Sequence, residues 1–426
     1  DEAAIAGITG IRYHDTIKRG LLCAHSAQSD LHHVLSPPNE FLYLWNRRGA
    51  GTNLLKGQPW ETPRHLAKLS LPALAGEIAA YKRDNGLPVS DRTREREIVS
   101  RVTQGMDERL AAYTKVLFST LFDLSRSVQD RALQGPSALA DAIRRAAETT
   151  PREFPSGATV AVQGREGSYS SIACDRLFQR PSIMYFNTFE SVFQAVEKGF
   201  CRYGILPIEN SLYGSVTEVY DLMSKYNFHI ARSVRIKIDH ALLGKKGTKL
   251  SDIREIVSHE QALGQCADFI KSLGDVRVTV YPNTAEAARA VAESGRDDIA
   301  ALASHDCASL YGLSVLKTNV QNSDNNHTRF ICIAKDIEIY PGANRVSLML
   351  TLPHRPGSLY RLMAKFAALG LNLTKLESRP IEGMDFEFMF YFDIEADVCS
   401  EAVLGLLGDL DNAPETFNFL GAYSEI

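Results

Sequence analysis

Residues 197–222 read E-K-G-F-C-R-Y-G-I-L-P-I-E-N-S-L-Y-G-S-V-T-E-V-Y-D-L, and the rest of the chain can be ordered around them. An apolar run of strand type, Tyr203 to Ile208, brings Glu209, Asn210 and Ser211 to a point where the chain must turn. A helical pattern through Val216, Val219, Tyr220 and Leu222 follows. An acid, an amide and a hydroxyl are thus presented together at a strand end. In open α/β sheets ligands bind at such places, because helix N-termini offer an anion unpaired N–H groups and a positive dipole end. Without context, Glu209 and Asn210 serve equally well as caps of the following helix, a position that Asn and Ser favour.

Outward from this stretch, residues 158–335 alternate strand and helix patterns. Strands are expected over Thr159–Gln163, Ser182–Phe186, Tyr203–Ile208, Ile230–Leu243, Ile253–Ser258, Val276–Val280, Ile299–Ala303 and Phe330–Ile333. Such alternation implies mainly parallel sheets with covered faces, and the length suits two lobes with a cleft between them. Polar groups gather at the strand-to-turn points: G-R-E-G-S-Y-S at 164–170, Glu209-Asn210-Ser211, Ser258-His259 with Gln265, and Asn326-His327-Thr328-Arg329-Phe330. Singly each is weak, since a Gly-x-x-Gly turn is commoner as plain turn chemistry than as a phosphate cradle.

The chain has 426 residues, enough for two to four domains, and a net charge of −4 with 23% charged residues. This gives no basic footprint for nucleic acid and no disorder signature. Seven cysteines stand singly, without C-x-x-C or a His cluster at metal spacing, so buried thiols in a reducing compartment are expected, with no metal. No apolar run reaches about 18 residues, so neither a membrane span nor secretion is expected and the localisation expected is cytoplasmic. The first residue is Asp rather than Met, which points to a trimmed N-terminus.

Taken together and in order, G-x-x-G-S-Y-S, Y-G-I-L-P-I-E-N-S-x-x-G-S-V, I-D-H-A-L-L, V-S-H-x-Q-A-L-x-Q-C and N-x-T-R-F resemble prephenate dehydratase. The resemblance covers nearly all of 155–336. It implies a two-lobed α/β domain like periplasmic binding proteins and decarboxylative dehydration of prephenate to phenylpyruvate, without any cofactor. Loss of carbon dioxide pushes electrons into the ring and out through the C4 hydroxyl, so the main barrier is expulsion of hydroxide, which a general acid relieves. By resemblance Thr328 is that donor, polarised by Glu209, Asn210 and Gln265, unless Glu209 with a raised pKa is itself the proton source. Arg329 and the N–H groups around Ser168, Tyr169 and Ser258 would bind the two carboxylates. Thr328 and Glu209 are expected on one wall of a cleft. Ser171 stands where the family's motif usually continues with His.

Upstream, helical patterns run through A-G-E-I-A-A-Y-K-R to a break at Asn85-Gly86-Leu87-Pro88. Asp91 then stands as the N-cap of a charged helix with Ile98, Val102 and Met106, and Leu117, Leu121, Leu124 and Val128 form the stripe expected to be buried on a third. Ser125 and Gln129 lie four apart on an adjacent strip. The set Lys82, Asp91, Arg94, Glu95, Ser125 and Gln129, with A-A-Y-K-R-D-N-G-L-P-V and R-E-R-E-I, resembles the all-helical chorismate mutase module. Such a site holds a dicarboxylate in its compact conformer and meets charge developing on the ether oxygen. By resemblance Lys82 and Gln129 flank that oxygen, Glu95 and Asp91 bind the hydroxyl region or orient partners, and Arg94 and Ser125 hold a carboxylate. The family's first helix carries two arginines about 28 and 11 residues before the Lys. Here Leu54 and Leu71 stand there and Pro72 breaks the helix, so the expectation is impaired or absent mutase activity. Residues 1–70, with Trp45 and Trp60, sustain no period and receive no assignment; 71–135 are the helical module and 136–154 a linker with one short helix.

Residues 343–426 read β-α-β-β-α-β. Val346, Leu348, Leu350 and Leu352 alternate along a strand, Leu359, Leu362, Met363 and Phe366 line a helix, and strands are expected at Leu371–Pro380, Phe388–Ile394 and near Phe417–Tyr423. That order is the ferredoxin-like unit. R-P-G-S-L-Y and L-N-L-T-K-L-E-S-R-P resemble the ACT domain attached to this dehydratase. The resemblance implies L-phenylalanine as an effector bound at a subunit interface of a homodimer or homotetramer. Gly357, Ser358 and Leu359, with Asn372 and Leu373, would enclose it, and Glu377, Ser378 and Arg379 would couple its arrival to the catalytic lobes. Ser358 replaces the more usual Ala. Prephenate and L-phenylalanine, and chorismate for the helical module, are therefore the expected partners. Two rivals are a non-catalytic amino-acid sensor built on the same lobes, and a monofunctional dehydratase that uses the helical module only for dimerisation.

Overall fold

The computed structural model describes residues 71–134, 137–381, 387–413 and 415–426. The chain divides into two compact units after residue 136. Residues 1–70, and with them the position of Leu54, lie outside the described residues. Among those described, no helix is long and apolar enough to cross a membrane.

The first unit comprises the helices Leu71–Asp84, Arg92–Thr103 and Glu108–Gln134. Among the described residues Pro72 does not break this helix, being its second residue. Asp91 caps the second helix, its carboxylate accepting from Arg94 N–H at 3.0 Å. The third helix corrects the expected stripe: Leu117 and Leu124 are exposed, and the buried residues are Phe122, Ser125 and Gln129. The spacing 118, 122, 125, 129 is itself a helical stripe, and its polar members face inward because they bond each other.

The second unit holds two sheets of mixed direction rather than mainly parallel ones. In the first lobe, β1 (Thr159–Gln163) pairs parallel with β2 (Ser182–Phe186) and β3 (Tyr203–Asn210). Antiparallel to β3 run the short β4 (Gly214–Ser215) and β11 (His327–Ala334), and antiparallel to β11 runs β5 (His229–Lys237). The second lobe has the order β10-β6-β9-β7-β8, from β6 (Ala241–Gly244), β7 (Glu255–Ser258), β8 (Arg277–Val280), β9 (Ile299–Ala303) and β10 (Ser314–Lys317). The chain leaves the first lobe after β5 and returns in β11, and this round trip makes the antiparallel pairs. It also corrects the expected single strand Ile230–Leu243, which breaks at 238–240, where the chain crosses between sheets.

The C-terminal part of this unit folds as β-α-β-β-α-β: β12 (Arg345–Thr351), the helix Ser358–Ala368, β13 (Asn372–Pro380), β14 (Phe388–Glu395), the helix Glu401–Asp411 and β15 (Phe417–Tyr423). The sheet order is β13-β14-β12-β15, all antiparallel. Val346, Leu348 and Leu350 pack with Leu362, Phe366 and Leu407 of the two helices. The alternate positions turn the other way, and Met349 joins Tyr391, Leu420 and Tyr423 in a core shared with Ile208, Val219 and Tyr220 of the first lobe. The stretch 136–154 is not a bare linker, because its helix Ala138–Thr149 buries Ala140, Ile143 and Ala146 in the C-terminal core. Ser137 caps that helix and bonds Asp411 at 3.1 Å.

Candidate active site

Strand pairing places the central residues. In the antiparallel register of β3 with β11, Asn210 lies opposite Thr328 and Glu209 opposite Arg329. Successive side chains on a strand point to opposite faces, so Asn210 and Thr328 share one face and Glu209 and Arg329 the other. The expected common wall for Thr328 and Glu209 is therefore corrected. Two residues that are neighbours of a pair in sequence are separated from it by the thickness of the sheet.

On the first face, Asn210 Oδ1 accepts from Leu212 N–H (3.0 Å) and Tyr213 N–H (3.1 Å), which fixes the direction of the amide. Its Nδ2 then donates to Thr328 Oγ1 at 2.9 Å and to Asn326 Oδ1 at 2.8 Å. The Thr328 oxygen is thus an acceptor in this bond and keeps its proton to give, and a hydroxyl that accepts one hydrogen bond donates the next more strongly. Asn326 is buried, and its Nδ2 has no partner, which leaves a donor for a ligand oxygen. Ser211 binds the same segment, its hydroxyl taking the His327 N–H at 3.0 Å.

The remaining expected residues separate into two groups. Gln265, at the end of the helix Glu260–Gln265, has its Oε1 2.8 Å from His240 Nε2, and Tyr169 OH donates to Asp239 C=O at 2.7 Å. Both hang on the crossover 238–240, which also bonds Asn326 through Ile238 N–H to its carbonyl at 2.8 Å. Ser168 caps the helix Tyr169–Leu177, accepting from Ser171 N–H, so its hydroxyl oxygen is committed to the backbone. Gly167, at a φ of 86°, turns that loop against the second lobe, where its carbonyl accepts from Ser304. Burial raises the Tyr169 phenol well above its usual range, with Asp239 adding to the effect, so it remains a neutral donor. The Ser258 hydroxyl, fully buried, donates to Leu302 C=O at 2.6 Å inside the second sheet.

Arg329 does not lie with this group. Buried on the opposite face, its Nη2 is 2.7 Å from Asp393 Oδ2 on β14 and 3.3 Å from Glu209 Oε2. Asp393 accepts from Ser347 at 2.5 Å, and Ser347 meets Tyr423 OH at 2.8 Å. Glu209 also lies 3.4 Å from Lys375 on β13, and Lys375 donates to Ser215 at 2.8 Å. Burial works against the Arg329 charge, but Tyr423, Asp393 and Tyr220 outweigh it and hold the guanidinium firmly protonated. The expected carboxylate-binding role of Arg329 and the polarising role of Glu209 thus give way to an ionic junction with the C-terminal sheet. Glu377 belongs to it, bonded to Ser215 and 3.4 Å from Lys375, while Arg379 pairs with Asp221 at 3.3 Å. Strand alternation at 209 and 329 was the available signal; Lys375 and Asp393 carried none, because nothing local ties them to β3.

Near the start of the helix Ser358–Ala368 a cavity of about 390 Å³ is lined by Pro353, Arg355, Ser358, Leu359 and Phe390, among others. Gly357, between the lining residues Pro356 and Ser358 in sequence but not itself lining the cavity, has a φ of 82°, a conformation that suits glycine. Neither Asn372 and Leu373 nor Glu377, Ser378 and Arg379 are among the residues lining it. Asn372 instead bonds Glu395 at 2.7 Å.

In the first unit Lys82, Ser125 and Gln129 are buried. Gln129 Nε2 donates to Ser125 Oγ at 3.0 Å, Gln129 Oε1 has no partner, and Lys82 Nζ donates to Val89 C=O at 2.6 Å. Burial lowers Lys82 to about 8, against the pull of Asp91, Glu95 and Asp130. Two expected ligands are engaged elsewhere: Arg94 pairs with Glu97 at 3.0 Å, and Glu95 with Arg126, which also holds Asp123.

Residues 160–338 match the family model described as prephenate dehydratase, and 73–130 that of chorismate mutase type II. The bifunctional chorismate mutase/prephenate dehydratase of Escherichia coli (strain K12) is 31% identical over 82% of this chain and 89% of its own. The chloroplastic arogenate dehydratase/prephenate dehydratase 2 of Arabidopsis thaliana is 37% identical over 62% of this chain and 72% of its own. Among solved structures, prephenate dehydratase from Arthrobacter aurescens in complex with L-Phe superposes with a TM-score of 0.57 at 26% identity. It covers 62% of this chain and 90% of that one.

Proposed function

The chain belongs to the family of bifunctional chorismate mutase/prephenate dehydratases, and on that premise we propose how its residues carry out the dehydratase reaction and how the other parts serve it. The reaction converts prephenate to phenylpyruvate, carbon dioxide and water, in aromatic amino acid biosynthesis. As the ring carboxylate leaves as carbon dioxide, its electron pair moves through the ring and breaks the C4–O bond. Thr328 gives the departing hydroxyl its proton and recovers one from solvent. Asn210 prepares it by donating to Oγ1, and Gln265, Asn326 and the Tyr169 N–H at the helix start hold the substrate oxygens, while the Ser168 N–H closes the turn onto Arg165 C=O at 3.0 Å. The observation that carries this reading is the 2.9 Å bond from a direction-locked Asn210 amide to Thr328. Thr328→Ala is expected to lower kcat by about a hundredfold and Thr328→Ser to retain most of it, followed as phenylpyruvate absorbance; a Thr328→Ala rate within twofold of native would reject the role.

The β-α-β-β-α-β part serves as an ACT domain that takes L-phenylalanine as effector. Support comes from the cavity beside Gly357, which has room for an amino acid, and from the L-Phe bound by the Arthrobacter relative. Because Glu377 and Arg379 lie away from that cavity in one chain, they act by holding the sheet to the catalytic lobe through Ser215 and Asp221, whereas Ser378 is exposed on the other face of the strand. The ligand's remaining wall comes from a second subunit of a homodimer or homotetramer. In the helical module, the commitment of Arg94 and Glu95 to other partners supports weak mutase activity.

A further inference from the structure

Two crossover segments join the lobes, and they are pinned to each other. Val320 N–H donates to His240 C=O at 3.1 Å, and His240 N–H donates to Gln321 Oε1 at 3.1 Å. The His240 ring stands between the lobes. Its Nε2 is 2.8 Å from Gln265 Oε1 of the second lobe, and its Nδ1 is 3.4 Å from Tyr169 OH of the first. The two rings meet edge-on, 5.7 Å apart at 81°, and His240 is only 2% exposed.

The hydrogen-bond roles follow from the atoms. An amide oxygen only accepts, so His240 Nε2 carries the proton and donates it to Gln265. Nδ1 is then unprotonated, and Tyr169 spends its one proton on Asp239 C=O, which accounts for the long Nδ1 contact. With Oε1 turned to the ring, the Gln265 NH₂ is turned away from it. With Nε2 protonated, swapping the two would set N–H against N–H.

We propose that His240 is a positioning residue of the dehydratase: as a neutral imidazole it turns Gln265 so that the amide offers donors, not an acceptor, to a substrate carboxylate or hydroxyl oxygen. It does so only in the lobe arrangement that brings Tyr169 and Gln265 to one ring. Burial, which pushes His240 below its ordinary value, keeps the ring neutral. The inference rests on the dehydratase reading of this site.

Saturation kinetics on the full chain with prephenate test it. A Gln at 240 sets an amide N–H where Nε2–H stood, whereas the Asn N–H falls at the Nδ1 position. His240→Gln is therefore expected to keep kcat within about threefold of native, and His240→Asn and His240→Leu to lose about tenfold to a hundredfold. In a Gln265→Leu background, His240→Leu adds nothing, since no amide is left to orient. Equal kcat for the Gln and Asn variants, or a full second loss in the Gln265→Leu background, would overturn the proposal. A native chain that leaves prephenate unchanged would reject the dehydratase reading itself, and that outcome is independent of how the variants compare.

Discussion

Asn210 and Glu209 are adjacent, and the pleat gives them different work. The amide sits with Thr328 on the face proposed to react, and the carboxylate lies between Arg329 and Lys375 on the other. Replacing the acid should therefore disturb regulation more than chemistry. Glu209→Gln is expected to keep kcat within about tenfold of native, against about a hundredfold loss for Thr328→Ala, while shifting the L-phenylalanine concentration that halves the rate. A rate as low as that of Thr328→Ala, with an unchanged phenylalanine response, would return Glu209 to the reacting face. In the helical module Lys82, held near 8, carries its charge below that pH and loses it above. Whatever chorismate turnover the chain has should thus fall as pH rises through about 8, and the profile should flatten in Lys82→Met. A turnover at full family rate would show that the positions of Leu54 and Leu71 can be served by other cations.

At the scale of elements, β11 and β15 matter most. β11 presents Thr328 to one side and Arg329 to the other, so any strain on the Arg329–Asp393 pair acts on the strand that carries the proposed acid. Asp393→Asn would leave a buried guanidinium short of its nearest anion and is expected to cost about 3 kcal/mol. A thermal melt checks this, and phenylalanine inhibition should weaken in the same variant. β15 crosses the edge of β5 so closely that a Cβ at Gly421 would collide with the Ile230 backbone carbonyl. Beyond that crossing, Ile426 N–H donates to Ser233 C=O at 3.0 Å, which covers an otherwise open strand edge. Gly421→Ala should destabilise this unit by about 2 kcal/mol, seen as a lower Tm at unchanged helix content. An unchanged Tm would mean that the crossing opens without cost.

At the scale of the whole molecule, the long helix of the first unit leaves Leu110, Tyr113, Leu117 and Leu124 exposed, an apolar strip on a helix otherwise rich in polar residues. A second subunit covering that strip would explain it. Leu117→Glu is expected to lower the mass found by light scattering at micromolar concentration, and a mass unchanged from native would place the subunit contact elsewhere.

Much of this architecture was legible in the sequence because it is written in short-range periods. The alternation at 346–352, the apolar run 203–208, the Asp91 cap and the motifs around Asn210, Gln265 and Thr328 all depend on residues within a turn or a strand of each other. The helix at 117–129 misled because its buried strip is half polar, and hydrophobicity alone favoured the exposed leucines. Residues 230–243 read as one strand because their apolar pattern is continuous across the crossover.

The sequence by itself determined the order of elements, the two lobes, the βαββαβ unit and the residues proposed for the chemistry. Only the tertiary structure decided which of them act together. Register between β3 and β11 sent Glu209 and Arg329 away from Thr328, and the packing of β12–β15 on the first lobe supplied Asp393 and Lys375 to receive them. The reason is physical: a side chain's face and its partner are fixed by strand pairing between segments more than a hundred residues apart, and no local pattern records that distance.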